Sequence, residues 1–417
     1  MTVKCKPSIE GFPNEILVHI FSYVPSRELA SQVALTCRTF ARILTDDHFW
    51  RTRINRSEGK IRLNDCQTRH PGFSPLDTCL AIDDERERWR DWEKQRVIMT
   101  QNHVATIDAL KLFERDGNQL CISASRDRCI ALWNVDNIQN GVSTDQNKWL
   151  LMTKHNAHDG WIWNVELCQE DGEKSPDQLL SCGWDSQVKL WQMTPTEIVE
   201  IARIKVESAV QQLKYRQGQE AVCSTFLKKV HFLDMRSPDI VAAYKFHKGV
   251  VFGLETWGNY IYSSAEDKSL VMADRRNLSK PVKGFFCGSY TRSMSYCDGL
   301  LACGTSNGTI CSRNPHDLSI TATCQVGDDV RQVKHSKGAH YVLCNTRHKY
   351  KFKVMTPGTR QQLISESEEM YFEPSKFDYS PKTQTLVIGT GDSSIFFHFP
   401  ANEDDDQYND LQNLLLS

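Results

Sequence analysis

SRDRCIALW (residues 125–133) and GWDSQVKLW (residues 183–191) are two copies of one pattern, in which an Asp precedes an apolar run that ends in Trp. A looser third copy, AEDKSLVMAD, covers residues 265–274. Each copy is typical of a tight turn followed by a short strand, because Asp favours turns and short apolar runs favour strands. Recurrence of the unit predicts a repeat architecture built from short strands.

The position of the turn Asp recurs seven times along the chain, at steps of 40 to 58 residues. A period of about 40 to 45 residues is expected for the four strands of one propeller blade. The long first step contains the polar insertions NIQNGVSTDQN and QEDGEKSP. We therefore predict an all-β, seven-bladed propeller over residues 96–400. Its turn positions are Asp127, Asp185, Leu227, Asp267, Asn307, Arg347 and Asp392.

A shared set of polar residues surrounds the turn in the first, second and fourth units. A His lies upstream of each unit, and a Ser precedes the turn Asp by four residues. In the first two units this set predicts a buried hydrogen-bond chain that runs from Trp through Ser and His to Asp. The residues assigned this structural role are His103, Ser123, Asp127, Trp133, His158, Ser181, Asp185, Trp191, His247 and Asp267.

The closure of the ring follows from counting strands. The last unit has recognisable strands only up to Phe399, and the residues after it (ANEDDDQYNDLQNLLLS) open with an acidic run that makes a poor strand. Residues 96–100 (RVIMT) are the obvious donor of the missing outer strand, and pairing there removes an exposed sheet edge.

The N-terminal region has a different, helical pattern. Over residues 12–54, Ile16, Leu17, Ile20 and Phe21 recur at helical spacing, and Pro25 ends this first run. A helical unit of this size is marginal alone, which indicates a docking module. A charged helical pattern follows (IDDERERWRDWEKQ, residues 82–95), with two Trp residues on one face, and predicts a spacer helix.

Composition excludes several classes of function. With 50 Lys and Arg against 52 Asp and Glu, the chain has no overall basic field, so neither nucleic acid nor an anionic membrane is a favoured partner. No apolar stretch approaches the roughly 20 residues of a membrane span, and the N-terminus lacks a signal-peptide pattern, so we expect a soluble cytoplasmic or nuclear protein. The 15 Cys residues contain no CxxC pair, and we expect core packing, no metal site and no cofactor.

The segment FPNEILVHIFSYVPSRELASQVALTCRTFARILTDDHFW (residues 12–50) resembles an F-box, and the Asp-to-Trp units resemble WD40 repeats. Their order is that of the F-box/WD-repeat proteins. The resemblance implies a non-catalytic substrate-recognition subunit of an SCF ubiquitin ligase, which binds Skp1 and through it cullin and RING subunits. It also implies a division into an F-box (8–54), a helical linker (55–95), the propeller (96–400) and an acidic tail (401–417).

The resemblance implies that six residues contact Skp1: Pro13, Ile16, Leu17, Ile20, Phe21 and Leu29. A small helical unit must bury such an apolar face against a partner. The alternative is that these residues form only the core of the unit. The repeat pattern also weakens along the chain, since Ala273 stands where Trp is usual and the third and sixth units lack the turn Asp.

Residues that face a ligand are expected at a variable position near the start of each innermost strand, on one face of the propeller. The sequence places Asp108, Trp163, Gln211, Phe252, Arg292, Arg331 and Lys376 there. The substrate-binding residues predicted from this set are Trp163, Phe252, Arg292, Arg331 and Lys376. Their cations suit an acidic or phosphorylated substrate peptide. The alternative is a solvated rim of charges without a ligand.

Three other functions compete with that of a ubiquitin-ligase subunit. A scaffold would bind partners without ubiquitin transfer, and only the F-box opposes this hypothesis. A catalytic triad is disfavoured because the Ser, His and Asp set recurs at fixed offsets and no Ser lies on a strand-to-helix elbow. A propeller enzyme with paired carboxylates is disfavoured because Asp108 stands alone among the ligand-facing positions.

Overall fold

The computed structural model describes residues 9, 12–56, 73–141, 149–169, 176–358 and 361–400. Among these residues, short helices come first and strands follow from Arg96 onward, arranged as seven four-stranded sheets. The predicted fold class, a small helical unit followed by a seven-bladed propeller, is confirmed. The predicted acidic tail (401–417) and most of both polar insertions lie outside the described residues.

The N-terminal unit consists of short helices around one apolar cluster. Pro13 and Pro25 precede the first two helices, at a position where the missing backbone N–H removes no helical hydrogen bond. Trp50 lies in the cluster, and its indole N–H donates to the Leu44 carbonyl at 2.7 Å. The helices are α1 (Asn14–Phe21), α2 (Ser26–Ser31), a 3-10 turn (Val33–Leu35), α3 (Arg38–Leu44) and α4 (Asp47–Arg56).

The spacer helix α5 (Pro75–Arg90) joins this unit to the propeller. It begins at Ser74, whose hydroxyl accepts a hydrogen bond from the backbone N–H of Asp77. The helix ends at Arg90, because Asp91 is extended, so the prediction that Trp92 belongs to the helix is wrong. The rings of Trp89 and Trp92 nevertheless contact each other, with centroids 5.2 Å apart.

In blades one to six, the four strands follow one another in the chain from the innermost strand outward. Blade one contains β2 (Ile107–Arg115), β3 (Asn118–Ser125), β4 (Ile130–Asn134) and β5 (Leu150–Lys154), and blade two contains β6 (Ile162–Cys168), β7 (Gln178–Gly183), β8 (Gln187–Met193) and β9 (Ile198–Lys205). Blade three contains β10 (Val210–Arg216), β11 (Glu220–Thr225), β12 (Val230–Asp234) and β13 (Asp239–Tyr244). Blade four contains β14 (Val251–Trp257), β15 (Tyr260–Ala265), β16 (Ser269–Asp274) and β17 (Lys283–Phe286). A short helix, α6 (Val135–Gln139), follows β4.

Blades five to seven complete the ring. Their strands are β18 (Thr291–Cys297), β19 (Leu300–Thr305), β20 (Thr309–Arg313), β21 (Ile320–Gln325); β22 (Val330–Lys334), β23 (Val342–Thr346), β24 (Phe352–Met355), β25 (Leu363–Glu366); and β26 (Pro374–Ser380), β27 (Thr385–Thr390), β28 (Ser394–Phe399) with β1 (Arg96–Gln101) as the outermost strand. Strand β1 pairs antiparallel with β28, from Arg96 opposite Phe399 to Gln101 opposite Ser394. The predicted closure of the ring by residues 96–100 is therefore confirmed.

The predicted hydrogen-bond chain is present in blades one and two. In blade two, His158 bonds through its two ring nitrogens to Asp185 at 2.8 Å and to Ser181 at 2.6 Å, and the Trp191 indole N–H donates to the same Ser181 hydroxyl at 2.8 Å. The matching distances in blade one are 2.8 Å from His103 to both Asp127 and Ser123, and 2.9 Å from Trp133 to Ser123.

The turn Asp of blade one is held in its charged form. Burial alone would raise the pKa of Asp127, but the hydrogen bond and charge of His103 and the backbone N–H groups of Cys129 and Val104 lower this pKa to about 2. A carboxylate with several donors is costly to remove, because each donor would be left buried without an acceptor.

Blade four replaces the missing Trp with a residue of its neighbour. His247 bonds to Ser263 at 2.7 Å, but its other nitrogen meets Ser269 at 2.6 Å and lies 3.8 Å from Asp267. The second partner of the Ser263 hydroxyl is the phenol of Tyr244, on the outermost strand of blade three, at 3.1 Å. The hydrogen-bond chain of blade four therefore includes a residue of blade three, because Ala273 stands where blades one and two supply a Trp indole.

The remaining core is apolar and contains the cysteines expected there. Burial raises the pKa of Cys223 and Cys344 to about 12, so both stay protonated thiols. The six cysteines predicted in strands are all buried: Cys121, Cys182, Cys223, Cys303, Cys311 and Cys344. None of the helices in the described ranges is both long and apolar enough to cross a membrane.

Candidate functional site

The exposed apolar face of the N-terminal unit lies on α1 and beside it. Ile16 and Ile20 are four residues apart and remain 45% and 36% exposed. Pro13 is also exposed. In contrast, Leu17, Phe21 and Leu29 are buried in the core of the unit, as the alternative interpretation held, so their side chains are not on its surface. The other exposed large apolar residues of residues 12–56 are Phe12, Tyr23 and Leu35.

Three positions recur at one end of every blade, which we call the upper face. The entry position is the residue before the innermost strand, and the post-strand position is the residue after the second strand. In all seven blades the backbone N–H of the post-strand residue donates to the carbonyl of the entry residue, at 2.8–3.1 Å. The third, the bulge position, is the extra residue near the start of the innermost strand.

These positions carry different residues in each blade, as expected for a surface that the repeat does not specify. From blade one to blade seven, the entry residues are Thr106, Trp161, Ala209, Val250, Tyr290, Asp329 and Glu373; the bulge residues are Asp108, Trp163, Gln211, Phe252, Arg292, Arg331 and Ser375; and the post-strand residues are Arg126, Trp184, Phe226, Glu266, Ser306, Arg347 and Gly391.

Six of the seven predicted ligand-facing residues are bulge residues, but the seventh is not. In blade seven the bulge residue is Ser375, whose buried hydroxyl donates to the Gly389 carbonyl at 2.8 Å. The prediction placed Lys376 there, one residue too far along the strand. The β-branched or apolar residue that begins most innermost strands is replaced by Pro374 in blade seven, so the sequence pattern did not define the register.

Lys376 lines the channel through the propeller rather than the upper rim. The channel has a volume of about 530 Å³, and its wall also includes Asp108, Phe252, Arg292 and Arg331. Burial, together with the charge of Arg331, lowers the pKa of Lys376 to about 8, although Asp108 opposes the shift. Its ammonium group forms no hydrogen bond or ion pair with a residue in the described part of the chain.

Several other channel charges compensate one another. Lys111 lies 2.7 Å from Glu166, and Lys214 lies 3.3 Å from Glu166 and 2.8 Å from Glu255. Burial would raise the pKa of Glu166, but Lys111 and Lys214 lower it to about 2. Lys376 is therefore surrounded by a network of paired charges to which it does not belong.

The two predicted Arg residues are paired as well. Arg292 donates to both carboxylate oxygens of Asp329, at 3.1 and 2.8 Å, and to the Tyr290 hydroxyl at 2.7 Å. Arg331 is paired with Glu373. The expected basic arc is therefore a set of ion pairs between neighbouring blades, and an incoming anion has to compete with the carboxylates already present.

A cluster of exposed apolar residues on the upper face lies on blades two and three. We call Trp161, Trp163, Trp184, Phe226 and Leu227 the aromatic surface. Trp163 stacks on Phe226 with centroids 5.3 Å apart and meets Trp184 edge to face at 5.2 Å. Trp161 lies 5.9 Å from Trp184. The exposed fractions of Trp161, Trp184 and Leu227 are 45%, 53% and 49%.

Of this surface, the sequence interpretation identified only Trp163. Blade two carries Trp at the entry, bulge and post-strand positions together, and the interpretation considered one of the three. Reading the entry and post-strand positions of every repeat would have found Trp161, Trp184 and Phe226. Their contact with one another required the structure, because they come from two blades. Of the other predicted residues, Phe252 lies at the channel wall and its ring is 6.0 Å from that of Tyr290.

Comparison with known proteins agrees with both halves of this architecture. The F-box-like family model matches residues 9–56, and the WD domain, G-beta repeat model matches residues 149–192. F-box/WD repeat-containing protein mec-15 of Caenorhabditis elegans is 40% identical over 401 residues, which are 95% of this chain and 97% of that protein. This chain belongs to the F-box/WD-repeat family.

Other family members are more distant. F-box/WD repeat-containing protein 9 from Bos taurus is 28% identical over 80% of this chain and 71% of that protein, and the Homo sapiens protein of the same name is 29% identical over 73% and 64%. Membership confirms the family resemblance seen in the sequence. An F-box implies binding to Skp1 in an SCF complex, the propeller implies binding of a protein substrate, and such proteins are typically non-catalytic adaptors.

Solved structures agree with the propeller fold. The structures titled "Crystal structure of RRP9 WD40 repeats" and "Structure of U3-55K" superpose with TM-scores of 0.62 and 0.61, and each covers 73% of this chain at 12% identity. The alignments include 97% and 98% of those chains. At this identity the likeness shows the fold alone.

Proposed function

We propose that this chain is the substrate-recognition subunit of an SCF ubiquitin ligase. In this proposal the F-box (residues 8–54) binds Skp1, and through it cullin and RING subunits, while the propeller (residues 96–400) holds a protein substrate for ubiquitination and degradation. Within the helical linker (residues 55–95), helix α5 (Pro75–Arg90) fixes the distance between the two. The chain itself contributes no catalytic residue to ubiquitin transfer.

The exposed face of α1 is the observation that carries the proposal. Ile16 and Ile20 project from a unit whose core is already complete without them, because Leu17, Phe21 and Leu29 fill it. Exposed apolar side chains that no core requires are typical of an interaction surface. The Skp1 contact is therefore assigned to Pro13, Ile16 and Ile20, with Phe12, Tyr23 and Leu35 beside them.

The attachment of the F-box to the propeller also supports the proposal. Helix α5 contacts the F-box through Asp83, which accepts from the Ser26 backbone N–H at 2.8 Å and from Arg53 at 3.4 Å. At its other end, Trp89 is fully buried among residues of blades six and seven. Glu85 accepts from the His340 backbone N–H at 2.8 Å. Contacts at both ends hold a substrate at a fixed distance from the enzyme that Skp1 and cullin recruit.

The test is co-purification of Skp1 with the full chain. Ile16→Asp with Ile20→Asp places two charges in an apolar contact and should weaken Skp1 binding about a hundredfold or more. Val199→Asp with Ile201→Asp is the matched control, because these residues on β9 of the propeller are 37% and 50% exposed. Normal Skp1 binding by the folded F-box variant would show that the assignment of this face is wrong.

Ubiquitin transfer distinguishes this proposal from a scaffold. The chain is assembled with Skp1, cullin, RING and E2 proteins, and ubiquitin on proteins captured by the propeller is measured. We expect transfer with the wild-type chain and with the β9 control, and none with the F-box variant. A chain that binds Skp1 and captured proteins but supports no transfer would be a scaffold.

A further inference from the structure

The aromatic surface is not part of the buried hydrogen-bond chain that holds blade two. The buried contacts of blade two belong to His158, Ser181, Asp185 and Trp191, which are different residues. In the other blades the entry and post-strand positions are occupied by Thr, Ala, Val, Asp, Glu, Arg, Ser or Gly as well as by aromatic residues. The fold therefore does not require Trp at these positions, and three Trp residues in one blade need another explanation.

The geometry of the surface suits one bulky apolar side chain. The rings of Trp163 and Phe226 are stacked, that of Trp184 stands edge-on to both, and Trp161 borders them, so faces and edges of several rings are offered together. Aromatic side chains are enriched among the residues that dominate protein interfaces, because they bury a large area with few rotatable bonds. A Phe or Leu side chain would contact several rings at once.

A chain of charged contacts connects this surface to the channel. Arg126 lies over the Trp161 ring at 5.0 Å, and its guanidinium donates to the Asp108 carboxylate at 2.6 Å. Asp108 lines the channel and is the group that most favours the charged form of Lys376. Lys376 is thus linked to the aromatic surface through Asp108 and Arg126.

Which anion the site can bind depends on whether its cations are already paired with carboxylates. A phosphate carries close to two charges and is best held by several free guanidinium groups. Here Arg292 and Arg331 are each paired with a carboxylate, whereas Lys376 forms no ion pair with a described residue. One carboxylate of an Asp or Glu side chain matches one ammonium without displacing an ion pair.

We propose that the aromatic surface and Lys376 together bind an extended, unphosphorylated segment of the substrate, with a Phe or Leu side chain on the aromatic rings and an Asp or Glu side chain at Lys376. This inference rests on the proposed function, since it names the substrate class of the same upper face. It differs from the sequence-based expectation by moving the main contact from blades five to seven to blades two and three.

The experiment uses the full chain in complex with Skp1 and a set of blocked synthetic peptides. Each peptide holds one Phe or Leu and one Asp at increasing Ser and Gly spacing, in both orders. Parallel sets carry Ser in place of the apolar residue, Lys in place of Asp, or phosphoserine in place of Asp. Fluorescence anisotropy measures binding, and a change in the intrinsic fluorescence of the chain reports contact with its Trp residues.

We expect binding at one preferred spacing and order, weakened about tenfold or more when the apolar residue becomes Ser. Trp161→Ala with Trp184→Ala should cause a similar loss. Leu151→Ala with Phe286→Ala, at residues 45% and 79% exposed on outer strands, should change nothing. Lys376→Met should abolish the preference for Asp over Lys and leave the preference for Phe or Leu intact.

Several results would overturn the inference. These are binding of the phosphoserine set alone, equal binding by the Trp161 and Trp184 double variant, or loss of binding in the Leu151 and Phe286 control. Peptide binding that appears only after residues 401–417 are removed would show that the chain's own tail occupies the surface. Peptide binding that appears only at dilutions at which the chain is monomeric would show that a second copy of the chain occupies it. The Ile16 and Ile20 double variant keeps the two proposals separate, because it should bind the peptides and fail to bind Skp1.

Discussion

Blade two and blade six use the same three upper-face positions in opposite ways. Blade two carries Trp161, Trp163 and Trp184, whereas blade six carries Asp329, Arg331 and Arg347. Blade two also has the complete buried chain from Trp to Asp, and blade six lacks the turn Asp. In blade six, Asp328 holds the turn instead by accepting from the backbone N–H groups of residues 348 and 349.

In blade two, the residues that stabilise the fold and the residues available to bind a ligand are different, whereas in blade six they are the same. In blade two, buried residues hold the turn, so the exposed ones are free to present apolar surface. In blade six, charged upper-face residues also bind the neighbouring blades, since Asp329 pairs with Arg292 of blade five and Arg331 with Glu373 of blade seven. Residues with such structural partners are less free to bind a ligand, and the predictions below test this separation.

The largest effect is expected for the buried chain of blade two. Asp185→Ala leaves His158 and the backbone N–H groups of Asp159 and Gln187 without their acceptor. The free energy of unfolding should fall by about 3 kcal/mol, measured by thermal or denaturant unfolding. Asp159→Ala, which removes only an exposed carboxylate, is the control. An unchanged stability together with lost peptide binding would reverse the assignment of structure and recognition in blade two.

A smaller loss of stability is expected on the upper face of blade six. Asp329→Ala removes both carboxylate oxygens to which Arg292 donates and should lower the free energy of unfolding by about 1–2 kcal/mol. Trp184→Ala, at the post-strand position of blade two, should lower it by less than about 1 kcal/mol, because its ring is half exposed. Equal losses in the two variants would contradict the proposed difference between the blades.

The smallest effect concerns Lys376 and depends on pH. Its pKa is about 8 in the folded chain against an ordinary value of 10.5, so at pH 7 the folded state carries a charge that its surroundings disfavour. Lys376→Met should therefore raise the free energy of unfolding at pH 7 by about 1 kcal/mol. The folded wild-type chain releases this proton first as pH rises above 8, so the advantage of the variant should shrink toward pH 10.5.

Lys382→Met is the control for this measurement. The Lys382 side chain is 72% exposed and forms a surface ion pair with Glu114 at 2.6 Å. Its replacement should change stability little and equally at each pH. A stability difference for Lys376→Met that does not vary between pH 7 and 10 would show that burial does not disfavour the charge in the channel.

Most of the fold could be predicted from the sequence because its signals are local. Each turn with its neighbouring strands occupies about ten residues, as in SRDRCIALW, and the unit repeats, so weak copies are recognised by their spacing. The closing strand at residues 96–100 was found by counting strands against a fixed number per blade. Where the local signal is missing, the predicted position is wrong by one residue. Lys376 is predicted at the bulge position of blade seven, but the strand begins at Pro374 and the bulge residue is Ser375.

The candidate site was predicted less well because its properties are not local. The same helical stripe contains Leu17, which is buried, and Ile16, which is exposed, and only the packing of α1 separates them. Arg292 and Arg331 have the chemistry of anion binding, but their partners Asp329 and Glu373 come from adjacent blades. A residue's type sets what it can bind, whereas its neighbours decide whether it is free to do so.

The number of blades, the buried hydrogen-bond chains of blades one and two, the closing strand and the F-box can therefore all be predicted from the sequence. These depend on turn chemistry, period and strand count, which are written along the chain. Only the tertiary structure decided that the basic residues are paired and that the rings of Trp163 and Phe226, 63 residues apart, form one surface. The physical reason is that charge pairing and exposure depend on which blades meet, and that contact is made in space by residues far apart in the chain.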